Sequence, residues 1–514
     1  MHGMQQVTLL DFGAAYTQKL ARIIRDENVY CEVLPYTAPL DTVLAGKPMG
    51  LILCGGGLSV FSPAAPQVSD GLFECGVPVL GIGYGCTLMA KALGGEVRAI
   101  TAALSGEGGA TAKAAGNSEL FAGDPAFFDV CSRSADCVER LPPGFTATAL
   151  CTDGCVFAME DARRKLYGVA GCQAVGVHLQ SLRMLRNFLF TICGCAGDWT
   201  MERFIEASVS DIRAQVGQGR VLLGLSGGVD SSVCAALIHR AIGDRLACVF
   251  VDTGFMRKGE PEQVREVFTR VFPVDLTSVD AVDRFLAKTE GVDDPELKRK
   301  RIGAEFVEVF AGEARKCGQF EFLGQGTIYP DIIESGMGDA AMVKSHHNVG
   351  GLPEVVDFEE ILEPLRMLFK DEVRRAGLAL GIDETLVYRQ PFPGPGLGVR
   401  ILGPITPERV ATLQEADAIF REEIEAAGLG RALGQYFAVL TNVQSVGVAD
   451  SARTYGATVA LRAVVTSDYM SAEAAQLPYD LLGRAAGRIT AEAPGVNRVV
   501  YDITGKPPGT IEWE

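Results

Sequence analysis

Histidine is scarce in this chain: five occur in 514 residues, which leaves little material for a histidine-rich metal site. Long apolar runs are missing as well. None approaches the roughly 18–20 uncharged residues that a spanning helix needs, so no membrane association is expected. The opening stretch, Met1 to Gly13, lacks the basic, apolar, small-residue order of a secretory leader, and the expected location is the cytoplasm. Positive charge is short: 47 Lys+Arg against 64 Asp+Glu give a net charge of −17. Phosphate-backbone binding is driven by Lys/Arg neutralisation, so no nucleic-acid partner is expected. Fourteen cysteines are present, eleven of them before residue 196, yet no Cys-x2-Cys pair occurs. A disulfide framework belongs to short exported chains, and zinc or iron–sulfur sites draw on closely spaced pairs. The simpler reading is that these cysteines are small buried apolar residues. Against these absences, 48% hydrophobic and 22% charged residues exclude disorder as the overall state. At roughly 100–200 residues per domain the length implies two to four domains.

Residues 1 to about 200 contain short apolar runs that end in glycine: Val7 to Gly13, Gly50 to Gly56 and Val77 to Gly83. Buried parallel strands read this way. Helical patterns follow at Tyr16–Asp26 and at Thr87–Leu93, the latter closed by Gly94-Gly95. Strand, glycine turn and helix in alternation predict a doubly wound α/β domain. A second such unit begins near Trp199: a helix over Met201–Val216 leads into strands at Arg220–Leu225, Leu246–Val251 and Phe320–Gly324. The Pro/Gly-rich stretch Pro391–Gly398 interrupts the pattern and marks a boundary. Beyond it, a helix over Thr406–Ala427 and strands at Tyr436–Val446, Thr458–Val465 and Arg498–Ile503 predict a small α+β unit. The expected domains are therefore 1–198, 199–394 and 395–514.

One motif carries chemistry locally. Ser226-Gly-Gly-Val-Asp-Ser-Ser232 follows a buried strand and precedes the helical run Val233–Ala241. Glycines let the backbone approach an anion, and N–H groups at a helix start point at it. Ser226, Ser231 and Ser232 add hydroxyl donors, and Asp230 can hold a magnesium ion. It is not a Walker A loop, because no Gly-Lys-Ser/Thr follows. A glycine-serine turn alone is commonly just a connection; the full string in a strand–turn–helix context is more than that.

That string resembles the pyrophosphate loop of the ATP pyrophosphatase superfamily, whose adenine nucleotide alpha hydrolase-like fold supports enzymes that adenylate a carbonyl oxygen. Further motifs narrow the match. Lys298–Gly303, Gly324–Ser335, Lys344–Pro353, Phe369–Arg374, Pro391–Gly398, Gln444–Val448 and Lys506–Glu512 with the last two residues are similar to GMP synthetases, in the family's order. The resemblance implies ATP-dependent amination of XMP through an adenyl-XMP intermediate, with ATP and Mg2+ required. It implies that Ser226, Gly227, Gly228, Val229, Asp230, Ser231 and Ser232 bind ATP, and that Lys344 and Lys370 serve the triphosphate. It further implies that Asp371 handles the proton from ammonia and that Arg299, Gln444, Lys506 and Glu512 bind XMP. Each basic residue alone would read as solvated surface charge; position inside a family motif reverses that. His346-His347 lack a third ligand for a metal. Homodimerisation through the C-terminal domain is also carried over. Two turns depart from the family: Asp252-Thr253-Gly254 stands for Asp-Asn-Gly, and Asp450-Ser451-Ala452 stands for Gly-Asp-Gly.

The first 195 residues resemble a class I glutamine amidotransferase, the domain that supplies ammonia in this family. Leu10–Gly13 with Tyr16–Gln18 matches its opening, Val77–Gly95 its nucleophile elbow, and Arg186–Cys195 its close. Its chemistry needs a cysteine thiolate, a histidine base and a carboxylate that orients the base. The corresponding positions here are Gly83, Cys172 and Ala174. Gly55-Gly56-Gly57 also replaces Gly-Gly-Pro near the oxyanion hole, and Ser132–Asp136 replaces a Met-Ser-His-Gly-Asp string. Cys86, about one turn along the helix, is displaced by roughly 5 Å, and reacting atoms need placement near 3–3.5 Å. His178 lies six residues beyond the expected base. The reading is a glutaminase-inactive domain in an enzyme fed by free ammonia or by an external glutaminase. Two competitors are a pyrophosphate-loop enzyme that adenylates tRNA and a non-catalytic nucleotide sensor. The acidic balance and missing Cys-x2-Cys oppose the first; the intact loop with Lys506 and Glu512 opposes the second.

Overall fold

A computed structural model describes residues 4–14, 16–55, 59–100, 110–114, 118–123, 127–130, 135–151, 154–170, 179–271, 274–334, 358–449, 451–466 and 471–514. They divide into two compact units, Met1–Phe204 and Ile205–Glu514. Among the described residues no helix is long and apolar enough to cross a membrane.

The first unit is built on parallel strands β1 (Gln6–Phe12), β2 (Tyr30–Pro35), β3 (Gly50–Gly55) and β4 (Val79–Ile82). The strands β5 (Glu96–Ala99), β6 (Ala110–Ala114), β7 (Phe127–Val130), β8 (Asp136–Arg140), β9 (Thr146–Cys151), β10 (Val156–Asp161) and β11 (Leu166–Val169) complete the sheet. Its order is β2-β1-β3-β4-β11-β10-β9-β6-β7, with β8 paired to β10 and β5 to β8. The glycine-ended runs form the parallel half, as expected; every residue of β3 and β4 is buried. The antiparallel half has no such signature: β5, β8 and β9 are solvated at least in part, and β10, though buried throughout, ends in Glu160 and Asp161.

The second unit holds two sheets. Parallel strands β12 (Val221–Leu225), β13 (Leu246–Asp252), β14 (Asp275–Asp280), β15 (Phe322–Gly324) and β16 (Glu360–Leu362) lie in the order β14-β13-β12-β15-β16. The other sheet pairs the long hairpin β17 (Gln435–Ala449) and β18 (Ala452–Val465) with β19 (Glu473–Ala474) and β20 (Val496–Tyr501). The two share one core. Phe255, Phe285, Ile302 and Phe310 from the first part pack in the same cluster as Leu397, Ile401, Leu413 and Phe420 from the second.

Two helices start earlier than their apolar spacing predicts. Tyr84–Ala92 begins at the elbow rather than at Thr87, and Val229–Ile242 begins inside the Ser/Gly motif rather than at Val233. In both, the first turn holds glycine or serine, which interrupt the apolar spacing that marks the rest of the helix.

Candidate functional site

In the five-stranded sheet the chain order reverses beside β12, so a crevice opens where β12 and β15 end. That is where ligands bind in open α/β sheets. The motif Ser226–Ser232 occupies it. Gly227 has φ +77°, and a Cβ there would lie 2.9 Å from Val264 Cγ2, so only glycine fits. Ser226 Oγ and Ser231 Oγ are 3.1 Å apart, Gly228 N donates to Ser226 Oγ at 3.4 Å, and Ser232 Oγ donates to the Gly228 carbonyl at 2.8 Å. Val229, Asp230, Ser231 and Ser232 form the first turn of the helix, and the N–H groups at a helix start favour an anion. From β15, Gly326 comes within 3.3–3.4 Å of Asp230 and Ser231 measured from the place of a Cβ.

The helix Lys370–Ala379 crosses this helix closely at Gly377, where a Cβ would meet Val233 Cγ2 at 3.1 Å. The crossing sets Lys370 Nζ 2.5 Å from Asp230 Oδ2. Among the described residues, Asp230 Oδ1 is buried without a hydrogen-bond partner. A carboxylate oxygen left in that state, beside a loop shaped for phosphate, fits a magnesium ion, whose charge would offset that of the triphosphate. Asp371 is exposed and pairs with Arg375 at 3.3 Å. Lys344, with His346 and His347, lies outside the described residues.

Of the four nucleotide-side expectations, Arg299 and Glu512 meet at the C-terminal tail. Lys298, fully buried, donates to Glu514 Oε2 at 2.6 Å, and Arg299 donates to the Glu514 carbonyl. Glu512 accepts a bidentate pair from buried Arg400 at 3.0 and 2.7 Å and a third bond from Gln435 at 3.0 Å. Arg299 and Glu512 are thus on one neighbourhood of chain. Lys506 is placed by backbone pairing with Ala472 at 2.7 and 3.0 Å. Gln444 is exposed on β17 beside a break in ladder register between Leu440 and Gln444, a feature that re-aims side chains. The departure at Thr253 keeps its turn: Gly254 N donates to Asp252 Oδ1 and Phe255 N to Thr253 Oγ1, at 3.0 and 3.2 Å. Ser451 holds φ +63°.

The sequence reading missed two arginines. Arg389 Nη1 donates to the Gly227 carbonyl at 2.7 Å, and Arg257 holds the Gln390 and Pro391 carbonyls at 3.1 and 2.9 Å. Neither sits in a motif that names its partner, though Arg389 lies two residues before the Pro/Gly stretch.

In the first unit, β4 runs into Gly83 at φ 59° and ψ −115°, and the helix starts at Tyr84. This is the sharp strand–turn–helix of a nucleophile elbow, packed so tightly that a Cβ at Gly81 or Gly85 would come within 2.6 Å of backbone or of Leu53. At Gly83 itself the nearest atom to a Cβ would be Gly55 O at 3.4 Å. Cys86 is buried, its sulfur turned toward β11, 2.8 Å from where a Gly168 Cβ would stand. Burial pushes its thiol up to about 12. Cys172, Ala174 and His178 lie outside the described residues. Ten of the twelve described cysteines are buried, and the described residues contain no cluster of three His, Cys, Asp or Glu able to hold a metal.

Comparison with known proteins assigns the chain in three stretches. Residues 8–173 match the family model for class-I glutamine amidotransferases, residues 200–286 that for NAD synthase, and residues 422–513 that for the GMP synthase C-terminal domain. A protein named GMP synthase (glutamine-hydrolyzing) from Acetivibrio thermocellus is 53% identical over 509 residues, covering 99% of both chains. One of the same name from Ruminiclostridium cellulolyticum is 52% identical over 511 residues, again 99% of both. A third, from Thermomicrobium roseum, is 53% identical over 512 residues, 99% of this chain and 96% of that one.

Proposed function

This chain belongs to the GMP synthase family, and from that premise we propose that it aminates XMP with ammonia that its own first unit does not make. ATP adenylates the C2 oxygen of XMP, pyrophosphate leaves, and ammonia displaces AMP to give GMP. The pyrophosphate loop and Lys370 hold the triphosphate and stabilise the charge that builds on the leaving phosphates. Asp230 Oδ1 would hold magnesium, which supplies further charge neutralisation when bound. Lys344 adds a second cation in this reading, and Asp371 takes the proton that ammonia loses. Arg299, Gln444, Lys506 and Glu512 bind XMP, with Glu512 presented by Arg400 and Gln435. Segments 1–198, 199–394 and 395–514 are the functional divisions, and the last serves homodimerisation.

One observation carries the nitrogen source: the elbow keeps its geometry while position 83 is glycine. The three relatives are named for glutamine hydrolysis, and that name describes those proteins. A nucleophile must be on the elbow for acyl transfer, and Cys86, buried and protonated, does not replace it. Ammonia then comes from solution or from a separate glutaminase chain.

The test offers two nitrogen sources. With ATP, magnesium and XMP, an ammonium salt at mildly alkaline pH is expected to give GMP and pyrophosphate. Glutamine alone is expected to give almost no GMP and no glutamate. Robust glutamine-dependent turnover would defeat the reading of the first unit; failure with both sources would favour a nucleotide sensor.

A further inference from the structure

Nothing in the reaction described above uses Arg389, although its guanidinium has three polar partners and is only 13% exposed. Nη1 lies 2.7 Å from the Gly227 carbonyl and 3.0 Å from Glu260 Oε1; Nη2 lies 2.7 Å from Gln263 Oε1. We propose that Arg389 is a positioning residue of the ATP site, holding the Gly227–Gly228 peptide so that the Gly228 N–H faces the phosphates. The inference rests on the reading of Ser226–Ser232 as the pyrophosphate loop.

The argument is geometric. In a planar trans peptide the carbonyl and the following N–H point in opposite directions. Fastening the Gly227 carbonyl to Arg389 on one side of the loop therefore sends the Gly228 N–H to the other. Ser226 Oγ lies on that side, 3.4 Å from Gly228 N. Gly227 cannot hold this orientation by itself. It has φ +77° and no side chain, and glycine exchanges readily among backbone wells. A donor charge on the carbonyl also polarises the amide and strengthens its N–H toward an anion.

Arg389 is itself anchored. Arg257, 3% exposed, holds the next two carbonyls, Gln390 at 3.1 Å and Pro391 at 2.9 Å. Gln390 Oε1 accepts from Tyr436 N at 3.3 Å. Glu260, buried, offsets the guanidinium charge. Arg389 thus contributes direction to the loop more than net charge. A lysine keeps the charge but loses the planar fork that serves three acceptors at once.

Arg389→Lys and Arg389→Met test this in the full chain, with the binding of α,β-methylene-ATP and of XMP measured separately by calorimetry. Losing a charge-assisted hydrogen bond to the loop should weaken the ATP analogue roughly ten-fold or more, with XMP affinity within about two-fold of wild type. Inhibition by inorganic pyrophosphate should weaken in parallel. Should Arg389→Met fail to fold, Arg389→Lys decides. Analogue affinity in Arg389→Lys within two-fold of wild type would overturn the proposal, as would equal losses for both ligands. Wild-type protein assayed with an ammonium salt runs alongside: its failure to make GMP strikes the functional reading, whereas the binding comparison strikes Arg389 alone.

Discussion

At position 83 a residue with a Cβ would be strained, because φ is 59° and ψ is −115°. A nucleophile on such an elbow tolerates the strain as part of its function; glycine has none. Space is available, since the nearest atom to a new Cβ is Gly55 O at 3.4 Å. Gly83→Cys is therefore expected to fold, losing about 1–3 kcal/mol by urea midpoint. It should release only traces of glutamate from glutamine, because Cys172 and Ala174 leave the thiol without a base. Adding Cys172→His and Ala174→Glu should raise glutamate release by about 10²–10⁴-fold over the single variant. Equal release from both would show that the base lies elsewhere. The missing letter at 83 was legible in the sequence, but the orientation of Cys86 was not, since spacing along a helix does not say which way the helix turns. That orientation has a pH consequence. An unfolded thiol titrates near 8.5, and Cys86 is pushed up to about 12 by burial. A raised folded pKa means the protonated form is favoured by folding, so this stabilisation is complete below about pH 8.5 and is lost as pH climbs toward 12. The urea midpoint should fall between pH 8 and pH 10.5, by up to about 1.4 kcal/mol per pH unit for each such thiol. Cys86→Ala should flatten that slope; an unchanged slope would remove Cys86 from the account.

The loop Ser226–Ser232 is held as an element because three others close on it. Apolar β12 delivers it to the switch point, the helix Lys370–Ala379 brings Lys370 to Asp230 through the close crossing at Gly377, and the turn after β15 brings Gly326 against it. The strand, the glycines and the helix were legible because each has a local signature. Arg389 was not, because its contact with Gly227 spans 162 positions and only the fold makes it. The antiparallel strands β5 to β10 were missed for another reason: β5, β8 and β9 are short and partly solvated and carry little apolar signal, and the buried run of β10 ends in Glu160 and Asp161. The Gly326 approach gives the element-scale prediction. A methyl there would stand 3.3–3.4 Å from Asp230 and Ser231, tight enough to push the helix start away from the crevice. Gly326→Ala should lower ammonium-dependent GMP formation by up to about ten-fold, since the helix start must give by only a few tenths of an ångström where a full ångström costs about a hundred-fold, with the thermal midpoint little changed. Asp230→Ala should stop pyrophosphate release while the circular dichroism spectrum stays that of the wild type. Wild-type rates in either variant would separate the loop from the chemistry.

For the molecule as a whole, the sequence reading divides the second unit at residue 394, where the Pro/Gly stretch interrupts the pattern. The packing across that point is continuous. Leu397 N donates to the Phe255 carbonyl at 2.7 Å, Gln414 Nε2 to the Met256 carbonyl at 2.7 Å, and Lys258 pairs with Glu415 at 2.6 Å. Phe392 lies under two guanidiniums, with Arg257 at 4.3 Å and Arg400 at 5.3 Å from its ring centre. A proline- and glycine-rich string reads as a linker by composition, but here it is packed: a Cβ on Gly396 would come 2.3 Å from the Phe255 carbonyl, and one on Gly398 2.9 Å from Ile302. The glycines are there for close approach rather than for freedom. Leu397, Ile401, Leu413 and Phe420 share their core with 199–394, and separating the two segments would cost up to about 1.5–3 kcal/mol for each side chain it uncovers. For all four together that is up to roughly 6–12 kcal/mol, as large as the whole stability of a typical domain. Residues 395–514 alone are therefore expected to lack a cooperative urea transition and to bind a hydrophobic dye, as loosely packed states do. Residues 199–514 should unfold cooperatively and make GMP from an ammonium salt. A sharp transition in the 395–514 fragment, with no dye binding, would mean that the shared core contributes contact without cohesion.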